Sequence, residues 1–148
     1  MTVEQHINSV KIQIKKVKNQ IADLDNQVSS INRSIQKKEE EYNNACKNID
    51  RTIGDMFSVI SRMKNNHSSI DDIRCMSYLT DYVGNELNNE VRRQEQVHNQ
   101  YKSKMKKIIL DMYDQVDNIY DSKHKLELKL ESLRRQLKQL EQQRVSHM

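Results

Sequence analysis

Proline and tryptophan are absent from this chain of 148 residues, and glycine (two), cysteine (two) and phenylalanine (one) are nearly so. Without proline, no helix is forced to kink or stop. With two glycines there is no phosphate-cradling loop and no strained turn to present a nucleophile. Two isolated cysteines, Cys46 and Cys75, make no disulfide scaffold and are expected as free thiols in a reducing cytoplasm. Nowhere do about 18 apolar residues run together, so membrane insertion is not expected, and the first ten residues lack the apolar core of a signal peptide. The five histidines include no pair four apart, and no metal-ligand spacing results. Neither catalysis, nor a cofactor, nor a small-molecule ligand is expected.

Apolar residues make up only 35% of the chain, against 31% charged. Since roughly half of an ordinary globular chain is apolar, a thick core cannot be filled. A narrow seam between helices can. Ile7, Ile14, Ile21, Val28, Ile35, Tyr42, Ile49, Met56 and Met63 recur every seven residues. Val3, Val10, Val17, Leu24, Ile31, Lys38, Ala45, Thr52 and Val59 fill a second position in the same frame. A matching stripe runs from Met105 through Ile109, Met112, Val116, Ile119, Leu126, Leu130, Leu133 and Leu137 to Leu140, with Lys123 out of character. This is coiled-coil spacing, too narrow a stripe to be buried without a partner helix.

The period breaks at the polar run Lys64–Ser69, where Asn65 and Asn66 can end one helix and Ser69 can cap the next. The expectation is an all-α chain, a single antiparallel coiled-coil hairpin over 1–148. Helix one spans about 3–64, helix two about 70–145, and the bend falls near 65–70. Pairing Ile35 with Met105, Ile21 with Ile119 and Ile7 with Leu133 keeps facing residue numbers adding to 140. That register sets Lys38 against Lys102 and Val17 against Lys123, while Val83, Val91 and Val97 take seam positions. Gly54 and Gly84 are expected at a close helix crossing.

Two surfaces stand out. At the bend, Phe57, Ile60, Met63, Met76, Tyr78, Leu79 and Tyr82 exceed what a two-helix seam covers, and form a candidate docking face for a helical partner. At the paired ends, Lys11, Lys15, Lys16 and Lys18 lie near Lys125, Lys129, Arg134, Arg135 and Lys138, a candidate contact for an acidic protein surface. The net charge is only +4, and no aromatic residues interleave with these bases, which argues against nucleic acid.

The second helix carries a resemblance. YLTDYVGNELNNEVRRQEQVHNQYKSKMKK followed by YDSKHKLELKLESLRRQ resembles the later helix of the FliJ/YscO stalk family of flagellar and type III export. That resemblance implies a cytoplasmic coiled-coil adaptor whose hairpin enters a hexameric ATPase ring and touches export-gate and chaperone proteins. The basic ends would be the part that enters. The run VDNIYDSKHKLE is similar to the small helical targeting factors of LXG toxins in type VII secretion, one alternative. A structural coiled coil that homodimerises into a four-helix bundle is the other.

Overall fold

The computed structural model of the chain describes residues 2–67 and 74–147. Two helices account for nearly all of them: α1 spans Val3–His67 and α2 spans Arg74–Ser146. They pack against each other as an all-α helical hairpin, and there is no strand among the described residues. None of those residues belongs to a helix long and apolar enough to cross a membrane. Packing divides the chain into two compact units, Met1–Gln36 with Leu110–Met148, and Lys37–Ile109.

Thr2 starts α1 through a reciprocal cap. Its backbone N–H donates to Gln5 Oε1 at 2.9 Å, and the Gln5 N–H donates to Thr2 Oγ1 at 3.2 Å. Two donors left over by the first helical turn are satisfied in this way. At its far end α1 runs through Lys64, Asn65 and Asn66 to His67. No described non-glycine residue has a positive φ, so the two asparagines do not terminate the helix as their composition suggests. Residues 68–73, with the expected Ser69 cap, lie outside the described residues.

In the first unit the seam is built as the period requires. Val10, Ile14, Val17 and Leu133 form one buried cluster, with Ile21, Leu126, Leu130, Leu137 and Leu140 half-buried against it. Val28, Ile35 and Val116 form another, with Ile31, Met112 and Ile119 around them. Leu133 is thus centred on Ile14 rather than Ile7, and Val116 on Ile31 rather than Leu24. Facing numbers add to about 147, one heptad beyond the expected 140. Glu4–Arg144 at 3.3 Å and Asp25–Lys123 at 2.7 Å, whose numbers add to 148, mark the same register.

The physical reason lies in what each register buries. Both place seam positions opposite seam positions, but only the observed one packs Leu140 against the buried cluster of α1. It also moves Lys123 away from Val17 to a carboxylate. The Lys123 ammonium is pushed above its ordinary value of 10.5, chiefly by its hydrogen bond to Asp25 and against the cost of desolvation. Glu127 on α2 adds a second carboxylate at 3.8 Å.

The second unit keeps a seam but changes phase. Beyond Ile49 the inward residues are Ile53, Met56, Ile60 and Met63, while Thr52 and Val59, expected inside, are exposed. Thr52 instead donates its hydroxyl to the Asn48 carbonyl at 2.9 Å. Turning the helix by one residue exchanges a threonine and a valine for two isoleucines, which buries more apolar surface. On α2, Val91 is buried as expected, but Val83 and Val97 face outward, and His98 takes the inward place beside Val97. The pair Asp50–His98 adds to 148 and the stacked Tyr42 and Tyr101 to 143, so facing numbers in this unit too lie beyond the expected 140. Lys38 then does not form a like-charge layer with Lys102; it pairs with Glu41 of its own helix at 3.4 Å. Tyr42 and Tyr101 stack with ring centroids 6.4 Å apart and planes at 14°.

The glycines are not at a close crossing. A Cβ added at Gly54 or at Gly84 meets nothing within 4 Å. In an open helical position glycine costs roughly 1 kcal/mol relative to alanine. Gly54→Ala and Gly84→Ala are therefore each expected to raise the thermal midpoint followed by circular dichroism. A lowered midpoint at either position would reveal a neighbour that the hairpin does not show.

Candidate protein-binding surfaces

Long helices built on a narrow seam leave most of each cylinder in water, so the features that matter are departures from a plain polar face. Phe57 on α1 is 49% exposed, and Tyr78 and Tyr82 on α2 are 75% and 57% exposed. Tyr78 and Tyr82 stand four residues apart and so share one helix face. Val59 and Val83 add exposed aliphatic surface beside them in sequence. The expected set changes in one respect: Ile60 is 4% exposed and belongs to the seam, because the phase change after Ile49 turns it inward. Met63 is half-buried. Met76 and Leu79 lie outside the residues whose side chains are described.

The nine basic residues do not form a single patch. Lys16 and Lys129 line one hollow with Gln13, Val17 and Gln20. Lys125 and Lys129 line a second with Gln20, Asp23, Leu24, Gln27, Ser122 and Leu126. Arg135 is engaged by Glu131 one turn earlier on its own helix. Lys138 borders a separate hollow near the end of α2, with Glu141, Gln142, Val145 and Ser146. Lys11, Lys15, Lys18 and Arg134 are exposed elsewhere on the two helices.

Two features had little signal in the sequence. Beside the seam of the second unit, Asn48, Ile49, Thr52, Ile53 and Gln94 line a small hollow of about 130 Å³, opened where the polar Thr52 turns outward. Next to it, His98 is 5% exposed, and neither ring nitrogen has a hydrogen-bond partner among the described residues. Asp50 Oδ1 stands 3.7 Å from Nε2, beyond hydrogen-bond reach. Nearby, the Tyr42 phenol is raised above its ordinary value, by desolvation first and then by a hydrogen bond with the Cys46 thiol. Cys46 is a free thiol.

No group of three His, Cys, Asp or Glu able to hold a metal ion occurs among the described residues. The fold and its surfaces define a helical-hairpin protein whose distinctive chemistry is exposed apolar side chains and lysine-lined hollows. Comparison with family models, with curated proteins and with solved structures finds no match for the chain.

A buried polar group without a partner costs about 1–3 kcal/mol. His98→Leu is therefore expected to stabilise the chain by about 1 kcal/mol or more in urea unfolding at neutral pH. Loss of stability would mean that the ring makes an interaction worth more than its burial costs.

Proposed function

We propose that the chain is a non-catalytic adaptor or stalk of a bacterial protein-secretion apparatus, working in the cytoplasm and binding other proteins along its helices. One observation carries the binding part of this reading. Phe57, Tyr78 and Tyr82, the three largest apolar side chains near the end of α1 and the start of α2, stand about half to three-quarters exposed. Exposed aromatic groups are common anchors of protein interfaces, because they bury a large area for little lost conformational freedom. Placing the protein in secretion rests on the resemblance of Tyr78–Lys107 and Tyr120–Gln136 to the FliJ/YscO stalk proteins. A helical hairpin suits that role, since it presents its side chains along its helices without needing a cavity.

The test is binding of the full chain to the hexameric export ATPase of the organism that encodes it, with the N-terminal domain of an LXG toxin as the competing candidate. The ATPase is expected to bind, and, with the apolar anchors in place of the basic ends as the docking residues, Phe57→Ser with Tyr82→Ser is expected to weaken that binding about tenfold with helix content unchanged. Binding to the toxin domain alone, or to neither, would overturn the reading.

A further inference from the structure

The seam of the first unit has two edges, and they differ. One edge is closed by charge. Glu4 and Asp25, each directly after a seam position on α1, reach Arg144 and Lys123 across the hairpin at 3.3 and 2.7 Å. The other edge carries glutamines at a seven-residue interval, Gln13, Gln20 and Gln27, each directly before a seam residue. Positions just before and just after the seam flank it on opposite sides. On the glutamine edge the helices leave two hollows of about 360 and 570 Å³ that share Gln20 and Lys129, so they run together as one groove. Between Gln20 and Gln27 its floor is apolar, formed by Leu24 and Leu126.

The groove follows α1 from Gln13 to Gln27, about 21 Å at 1.5 Å per residue, which is two heptads of helix. Lys16, Lys125 and Lys129 line it against the single acid Asp23, a net charge of +2. None of these lysines has an ion pair among the described residues, unlike Lys123 on the other edge. The glutamine amides both donate and accept, so they satisfy polar groups of either kind without adding charge.

We propose that this glutamine and lysine edge is the docking groove for a third helix, an acidic amphipathic segment of another protein. Its narrow apolar stripe seats on the half-buried Leu24 and Leu126, and its flanking carboxylates meet Lys16, Lys125 and Lys129. A third helix adds knobs to holes that the hairpin leaves half-filled on this edge. The lysines select against a second copy of the chain, since two such edges would bring like charge together. This groove rests on the adaptor reading for its setting, and deepens it by naming the edge used and the chemistry of the partner.

The probe is a synthetic peptide of three heptads with Leu at the seam positions and Glu on both flanks, followed by fluorescence anisotropy with the full chain. Controls are a scrambled peptide of the same composition and a peptide with Lys for Glu. The acidic heptad peptide is expected to bind, the other two not. Binding should weaken about tenfold in a Lys16→Glu, Lys125→Glu, Lys129→Glu variant, and fade as salt rises. Lys11→Glu with Lys18→Glu, on the closed edge, should change it less than about twofold. Absence of binding, equal binding of the scramble, or equal loss in the closed-edge variant would overturn the proposal. So would self-association of the chain, by sedimentation, that the triple variant abolishes. If the peptide fails while the export ATPase binds through Phe57 and Tyr82, the groove falls and the adaptor reading stands. If the peptide binds as expected and the ATPase does not, the groove stands and the secretion setting falls.

Discussion

Apolar residues repeating every seven positions on two antiparallel helices leave the pairing degenerate, since sliding one helix by a heptad returns every seam position to a seam position. What separates the registers is whatever breaks the repeat. In the first unit those are Lys123, the only charged residue in the α2 stripe, and Leu140, the last apolar residue of that stripe. The observed register gives Lys123 the Asp25 carboxylate at 2.7 Å and packs Leu140 against the Val10–Val17 cluster. Burying a leucine is worth about 1.5–3 kcal/mol at most, while an ion pair open to water contributes much less. The end of the stripe therefore weighs more than the charge, and both favour the same choice.

How much of the fold was legible beforehand follows from the same degeneracy. Helix content, the two-helix seam and the antiparallel pairing follow from periodicity, which survives any error of a whole heptad. Register does not, because periodicity alone is silent about multiples of seven. Leu140, which has no partner when facing numbers add to 140, is the apolar residue of the stripe that separates the two registers. The phase change after Ile49 was hidden for another reason. Thr52 and Val59 fit the frame acceptably, and only comparison with the bulkier Ile53 and Ile60 one residue later shows which face buries more. His98 gives little signal because Val97, its neighbour, is the more apolar residue, yet the seam passes through Leu87, Val91, Gln94 and His98 at steps of four and three.

Of the candidate surfaces, Phe57, Tyr78 and Tyr82 could be read from composition, since a chain so poor in aromatic residues places these three close to its polar break. The basic residues could be counted but not sorted. Their division among a groove, an intrahelical pair with Glu131 and a separate hollow near Val145 depends on register and on which edge of the seam each residue flanks. The heptad spacing of Gln13, Gln20 and Gln27 was available in the sequence, but its meaning depends on the opposite edge being closed by ions.

Register decides which side chains line each edge, and a proximity measurement reads it directly. With Cys46 and Cys75 replaced by Ser, Leu133→Cys is combined in one protein with Ile14→Cys and in another with Ile7→Cys. A short bis-maleimide then reports which pair is adjacent, by mobility of the monomer under denaturing conditions. Fast intramolecular crosslinking of the protein carrying Ile14→Cys, and slow crosslinking of the one carrying Ile7→Cys, is the predicted result. The reverse order would place facing numbers at 140 and contradict the arrangement of both edges.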